Sequence, residues 1–300
     1  MRHLVAGLAA IAALATWAVP LDGWGMEVHR RITARALDGL PAAIKPFFEE
    51  QRALIVEHSV DPDLWRVVGL QTDLGEEDPN HFLDIDGLDE PRPFTNVPRE
   101  WKAYVARYGL DRATKMGRLP WRADEIYGRL VSAFQAIAKG TPAYAADNAR
   151  YLSAVLAHYV EDAHVPFHAV SNYDGQLTGQ RGIHSRFESE LVLRNWETLK
   201  LAPVTPRPIT SMRDFIFETL VSGEAMVSRI LDADRRGTTG RETYDDGYFT
   251  LLLDGTRPIL EQRLSDAASH VAGAIVSAWT AAGSPVLPLK GPRPPAPIRR

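Results

Sequence analysis

The stretch ADEIYGRLVSAFQAIAKG, residues 123–140, decides the fold class. Its apolar side chains recur at steps of three and four residues, at Ile126, Leu130, Val131, Phe134 and Ile137. This spacing places them on one face of an α-helix, and Gly140 is typical of a helix end. The stretch therefore predicts an amphipathic helix that buries one face against neighbouring helices.

Helical patterns extend in both directions from this stretch. Thr141 and Pro142 are typical of a helix start, and apolar positions from Tyr151 to Tyr159 carry that helix toward Pro166. HRRITARAL, residues 29–37, predicts an earlier helix, and Pro41 predicts the start of the next one.

The rest of the chain lacks the alternation typical of strands. Long helices are predicted at 212–231 and 247–282, and loops at about 61–99 and 171–183. With 45% hydrophobic and 24% charged residues, the chain can bury one sizeable core and is not disordered. We therefore predict an all-α fold, a single-domain multi-helix bundle.

The two ends of the chain differ from this body. Residues 1–23 begin with a positive charge and continue as a short Ala-rich apolar run, which predicts a signal peptide and a secreted or periplasmic protein. An uncleaved anchor helix is the alternative. Residues 284–300 are rich in proline and predict an extended basic tail outside the fold, leaving residues 24–283 as the folded domain.

Charge and cysteine content limit the chemistry. The tail carries four positive charges, so a formal net charge of −4 for the chain leaves −8 for residues 1–283. Such a body repels polyanions unless bound cations intervene. The chain has no cysteine, so disulfides and thiolate ligands are excluded, and a metal ion must be held by histidine and carboxylate groups.

AHYVEDAHVPFHA, residues 157–169, concentrates such groups. His158 and Asp162 are four residues apart on a predicted helix, so both project from one face toward one cation or two neighbouring cations, while His168 follows the Pro166 break. A surface pair or a buried hydrogen bond is the alternative. Composition alone produces H-x3-[DE] about once in such a chain, but the pattern extended to His168 only roughly 0.03 times.

Further candidate ligands lie in or beside irregular segments. They are His29 in WGMEVHRRIT, Asp61 and Asp63 in HSVDPDLWR, His81, Asp84 and Asp86 in NHFLDIDG, and His184 and Glu188 in GIHSRFESELV. Taken singly, each acid can be a turn cap and each histidine an ordinary helix residue. With the central run they offer five histidines, and these with three of the carboxylates are enough for a multinuclear site.

These motifs carry a resemblance to a known superfamily. Trp24 with His29, Asp63, NHFLD, AHYVEDAHVPFH and HSRFE occur in the order and spacing of the superfamily that joins zinc-dependent phospholipases C to single-strand-specific nucleases. The resemblance spans 24–188, and the helical pattern out to Ala282 agrees with that superfamily's all-α fold.

The resemblance implies three zinc ions. The first would be held by Asp63, His81, His158 and Asp162. The second would be held by His168, His184 and Glu188. The third would be held by the amino nitrogen and carbonyl oxygen of Trp24, by His29 and by a bridging Asp162. Asp61 competes with Asp63, but the continuation D-x-[WY]-R favours Asp63, which can also accept the proton of the attacking water.

The Trp24 amine can bind a metal only when it is free. Cleavage after Gly23 exposes it, whereas cleavage after Ala18 is an alternative that does not. His164 matches no ligand position and is expected to support the site from outside it or to lie at the surface. His58 and His270 are expected to be structural or exposed.

The resemblance implies hydrolysis of a phosphodiester by zinc-activated water. Glu188 stands where the nucleases generally have aspartate, which favours the phospholipase C branch, a phospholipid substrate and contact with a membrane surface. Asp78, three residues before His81, argues against a choline headgroup and for a cationic or neutral one over an anionic one. HF-x-D at His81 resembles the nucleases. We expect a monomeric phospholipase C-type enzyme; the alternatives are a nuclease acting on single-stranded nucleic acid and a non-catalytic zinc-binding protein.

Overall fold

Helices make up the regular structure of the computed structural model, which describes residues 25–67, 77–140, 142 and 144–289. Within these ranges there is no β-sheet, only one isolated antiparallel bridge between Leu83 and Gly117. The predicted all-α fold is therefore confirmed. No helix in the described ranges is long and apolar enough to cross a membrane.

The α-helices, in chain order, are α1 (Met26–Asp38), α2 (Lys45–Glu49), α3 (Arg52–His58), α4 (Asp61–Val67), α5 (Trp101–Tyr108), α6 (Leu110–Lys115), α7 (Leu119–Lys139), α8 (Ala145–Asp162), α9 (Ile183–Ser185), α10 (Leu191–Asn195), α11 (Met212–Thr238) and α12 (Asp246–Ala281). Short 3₁₀ turns occupy Asp78–Asn80, Ile85–Leu88, Pro166–Ala169 and Trp196–Thr198, and a π-helical turn occupies Arg186–Glu190.

Four long helices form the centre of the molecule. Helices α7, α8, α11 and α12 pack against one another, and α1 packs on α8 and α12. Leu130 and Phe134 of α7 are fully buried, as the periodicity predicts. Each such side chain contributes about 1.5–3 kcal/mol on burial, so the packed apolar faces rather than helix propensity hold the bundle together.

Several predicted boundaries are wrong by a turn. Helix α8 begins at Ala145, because the carbonyl of Pro142 accepts the Ala145 N–H in a turn before the helix; Thr141 lies outside the described residues. Pro41 likewise begins a turn, and α2 starts only at Lys45. In contrast, α7 ends as predicted, with Gly140 in the left-handed region at φ 70°.

Two predicted irregular regions contain more structure than expected. The predicted loop 61–99 includes α4, whose first turn carries the acids that stabilise a helix start. In the predicted tail, Trp279 Nε1 donates to the carbonyl oxygen of Pro285 at 2.9 Å, and Leu287 packs against the core. Residues 1–24 and 290–300, which include the predicted signal peptide, Trp24 and the rest of the tail, lie outside the described residues.

Candidate metal centre

Three buried groups of ligand-type side chains lie where the helices converge. They are His29, His158 and Asp162; Asp63, His81 and His158; and His168, His184 and Glu188. Within each group the ligand atoms lie within 4.8 Å of one another, so each group can hold a metal ion. Every predicted ligand in the described residues belongs to one of these groups, and only Trp24 lies outside the described residues.

Asp162, the last residue of α8, stands between the groups. Its Oδ2 is 2.9 Å from Nδ1 of His81 and 3.2 Å from Nε2 of His158. Its Oδ1 is 3.6 Å from Nε2 of His29 and 3.6 Å from Nδ1 of His168. Two ligand atoms of a tetrahedral zinc ion with bonds of about 2.0–2.1 Å lie roughly 3.4 Å apart, so these spacings suit side chains that together hold a metal ion.

Asp63 rather than Asp61 belongs to the centre. Oδ1 of Asp63 lies 3.8 Å from Nε2 of His158 and 3.9 Å from Nδ1 of His81. Asp61 instead accepts a hydrogen bond of 2.8 Å from Nδ1 of His58 on the preceding helix. Residues two apart on a helix point in different directions, so only one of the two acids on α4 can face the histidines.

His184 and Glu188 are brought together by the π-helical turn, where the sequence predicted an ordinary helix start. Nε2 of His184 lies 2.8 Å from Oε2 of Glu188, and the His168 ring lies edge-on to the His184 ring at 5.1 Å between centroids. Inside the turn, buried Arg186 donates from Nη2 to Asp234 Oδ1 at 3.1 Å and from Nε to the Tyr248 hydroxyl at 2.9 Å. This charge pair fixes the turn in place.

Two histidines are oriented by partners behind them. Nδ1 of His158 donates to the carbonyl oxygen of Ser59 at 2.9 Å, and Nδ1 of His29 donates to Oε2 of Glu161 at 2.5 Å. Thr33 holds the other oxygen of Glu161 at 2.7 Å. These contacts leave Nε2 of both rings facing the centre, as metal-binding histidines require. Sequence reasoning missed Glu161, because only the packing of α1 on α8 brings it to His29.

Unsatisfied buried atoms support a bound cation. Nε2 of His29, Oδ1 of Asp162 and Nδ1 of His168 are buried and have no hydrogen-bond partner among the described residues. Each such atom costs about 1–3 kcal/mol when nothing binds it, and native proteins rarely tolerate several together. Nitrogen and carboxylate donors in this arrangement fit a metal ion.

The protonation states also suit metal ions. Burial, followed by the neighbouring His158, holds the pKa of His29 well below its usual value, and burial lowers the pKa of His168 to about 3. Both rings are thus neutral at pH 7, the form that binds metal. Burial also lowers the pKa of His158, but the charges of Asp162 and Asp63 outweigh it and raise the pKa to about 9. A cation can take the place of that proton.

A cleft of about 230 Å³ opens onto the centre. Among its lining residues are the predicted ligands His81, His168 and His184, the basic residues Arg66 and Lys115, the acids Asp78 and Asp84, and the aromatic residues Phe82, Phe167 and Tyr173. Burial, with the nearby charge of Asp86, raises the pKa of Asp84 to about 7. Basic side chains, aromatic rings and a weak acid therefore lie beside the ligand groups in this cleft.

Asp78 is paired with a basic side chain at the cleft. Nε of Arg66 donates to Oδ1 of Asp78 at 2.6 Å, and Nη1 of Arg66 donates to Oδ1 of Asp63 at 3.2 Å. Because one guanidinium is shared by the two carboxylates, it offsets only part of the negative charge of Asp78. The preference for cationic or neutral headgroups stays a prediction.

The histidines outside the ligand groups take other roles. His164 is buried rather than at the surface: its Nδ1 donates to the carbonyl oxygen of Val160 at 2.7 Å, and its Nε2 lies 2.8 Å from Nδ1 of His270. His58 is partly exposed beside Asp61. His164, His58 and His270 are therefore structural.

The fold and the centre define a class: an all-α protein with adjoining buried histidine and carboxylate groups that can hold metal ions. No protein-family model matches the chain, and no curated protein matches it. Assignment to a particular superfamily rests on the sequence motifs alone.

Proposed function

We propose that the protein is a zinc-dependent phosphodiester hydrolase of the phospholipase C type. The observation that carries the proposal is Asp162, whose two oxygens face different ligand groups below an open cleft. The five imidazoles favour zinc over magnesium or calcium, which prefer oxygen ligands. When bound, zinc supplies Lewis acidity that activates water at neutral pH and offsets charge on phosphoryl oxygens.

The residues at the cleft divide the remaining work. Arg66, which donates to Asp78 and Asp63, and Lys115 place positive charge at the cleft, where it can attract a phosphodiester. Burial raises the pKa of Asp63, which makes its carboxylate a better proton acceptor near neutral pH than an exposed aspartate. Asp63 therefore takes the proton of the attacking water.

A phospholipid is the proposed substrate. Glu188 occupies the position that favours the phospholipase branch, and the net charge of −8 on residues 1–283 repels polyanions. Tyr173, which lines the cleft, is 45% exposed, and Leu177 on the same loop is 71% exposed. These side chains provide apolar contact with a membrane beside the centre.

A single-strand-specific nuclease is the second candidate. The observation that favours it is the aromatic lining of the cleft, where Phe82 and Tyr173 can stack on a base. With its pKa raised to about 7, Asp84 is partly protonated at neutral pH and can donate to a base edge. Phe187 lies in the core and is not available for stacking.

The test is a substrate panel. Release of phosphorylated headgroup from phosphatidylethanolamine, phosphatidylcholine and phosphatidylglycerol vesicles is compared with cleavage of single-stranded DNA and RNA, at equal zinc and moderate salt. We expect faster turnover of lipid. Cleavage of nucleic acid about ten times faster than every lipid would replace the proposal with the nuclease.

Two acids of α4 give an internal control. Asp63→Asn should abolish turnover of the preferred substrate, whereas Asp61→Asn, which alters the contacts with His58 and Tyr151 outside the ligand groups, should preserve it. Wild-type protein that binds zinc but cleaves neither the panel nor a generic phosphodiester would instead be a non-catalytic zinc-binding protein.

A further inference from the structure

The C-terminal end of α8 is unusual in how its carbonyl groups are satisfied. The last carbonyls of a helix have no partner within the helix and must find one elsewhere. Here the carbonyl oxygens of Glu161 and Asp162 accept the backbone N–H groups of His164 and Val165, both at 2.9 Å. The next two carbonyls, of Ala163 and His164, accept from a side chain of another helix.

That side chain is Arg263 of α12. Its Nε donates to the carbonyl oxygen of His164 at 2.7 Å, and its Nη2 donates to those of Ala163 at 2.9 Å and Thr219 at 3.1 Å. The guanidinium is buried, and burial lowers the pKa of Arg263 to about 10 although the charge of Asp266, three residues later on α12, raises it. Burying a charge is costly, and the three carbonyl dipoles help to stabilise it.

Gly223 of α11 leaves space for the guanidinium. A Cβ at this position would lie 3.1 Å from Nη2 of Arg263 and 3.3 Å from Cα of Pro166. A glycine inside a helix costs about 0.5–1 kcal/mol relative to alanine, and here the close approach of Arg263 and Pro166 accounts for its presence.

The location of Arg263 connects two parts of the metal centre. Ala163 and His164 join Asp162, at the end of α8, to the 3₁₀ turn Pro166–Ala169 that carries His168. The distance of 3.6 Å between Asp162 Oδ1 and His168 Nδ1 therefore depends on how this junction is held. A positive charge at a helix C-terminus is also favourable, because it complements the helix dipole.

We propose that Arg263 is a positioning residue for the metal centre: by binding the carbonyls of Ala163 and His164, it sets the separation of Asp162 from His168. Arg263 touches neither metal nor substrate. The inference rests on the proposed function for the presence of zinc, but it concerns metal affinity and site geometry rather than turnover.

The experiment measures zinc affinity by chelator competition in the protein beginning at Trp24. Wild type is compared with three single variants, Arg263→Lys, Arg263→Gln and Gly223→Ala. Lysine keeps the charge but cannot donate to diverging carbonyls as a planar guanidinium does. Gly223→Ala keeps the arginine and crowds it. We expect each variant that retains wild-type helical circular dichroism to bind zinc about 10–100-fold more weakly, the range for residues that support ligands from behind.

Cobalt(II) provides a signature that a purely structural role would not change. The visible absorption bands of the cobalt-substituted protein should shift in Arg263→Lys and Gly223→Ala, because the spacing of Asp162 and His168 changes. Arg257→Lys, on the same helix but paired with Glu261 at the surface, is the matched control and should match wild type in zinc affinity and spectrum.

The proposal is overturned if folded Arg263→Lys and Gly223→Ala keep wild-type zinc affinity and unchanged cobalt bands, even where their unfolding temperature falls. Loss of affinity and shifted bands support it, whether or not the wild-type protein cleaves any phosphodiester. Failure of the proposed function and failure of this inference therefore give different results.

Discussion

Asp162 lies closest to the middle of the candidate metal centre, between its ligand groups. Its carboxylate is fully buried, and each oxygen faces a different pair of histidines. Burial alone would raise its pKa, but the positive charge of His158 holds the pKa well below its usual value, so the group stays anionic. When metal ions take the place of the His158 proton, a carboxylate that stays anionic gives the centre negative charge that dications need.

The first prediction is that Asp162→Asn is the most damaging single ligand change. An amide can offer one neutral oxygen but cannot bridge two cations, so turnover should fall by more than the about 100-fold typical of a supporting residue. Activity and bound zinc are measured together, with Asp61→Asn as the control. An Asp162→Asn protein that stays active while His184→Ala is inactive would show that no bridge exists.

Sequence spacing predicted that His158 and Asp162 lie on one face, and the resemblance implied the other ligands, but neither indicated what holds them in place. His158 and Asp162 share a helix face because they are four residues apart, which needs no tertiary information. Glu161 and Arg263 have no such signal. Glu161 meets His29 only because α1 packs on α8. Arg263 lies 100 positions after Ala163, whose carbonyl oxygen it binds at the end of α8.

The helices likewise divide into those that the local sequence predicts and those that depend on contacts with distant residues. Helix α7 follows from its apolar period and from Gly140, whose left-handed conformation favours glycine. The π-helical turn at Arg186–Glu190 was not predicted, because a turn with i→i+5 bonds has no distinct period in a short segment. It is held by the buried Arg186–Asp234 pair, and Asp234 comes from α11.

The start of α1 lies next to the centre. The backbone N–H of Gly25 donates to Oγ of Ser189 at 3.1 Å, and Ser189 directly follows Glu188. A Cβ on Gly25 would lie 2.4 Å from that hydroxyl oxygen, so a larger residue here would force the Ser189 side chain to move. The chain therefore begins α1 in contact with the turn that carries a predicted ligand.

The second prediction concerns this chain start. If the free amine of Trp24 binds metal, one extra residue before Trp24 should reduce the number of bound zinc ions by about one. Turnover should fall with it. The same residue added after Arg300 is the control. Full activity and full zinc content with the N-terminal extension would rule out the amine as a ligand.

At the scale of the whole molecule, the bundle gathers distant parts of the chain at one point. Ligand-type residues from α1, α4, α8 and the 183–190 segment meet beneath one cleft, where Arg66 and Lys115 add positive charge. The metal-ligand side chains, the cleft and the basic side chains together support the proposed phosphodiester hydrolysis. They do not by themselves select lipid or nucleic acid, because both present a phosphodiester.

Metal content tests the central claim most directly. The purified protein beginning at Trp24 is reconstituted with zinc at neutral pH, freed of loose metal, and measured for zinc per chain. The account predicts about three zinc ions, one for each predicted ligand set, with loss of phosphodiester cleavage on chelation and recovery on zinc addition. One zinc ion or none after reconstitution would contradict it.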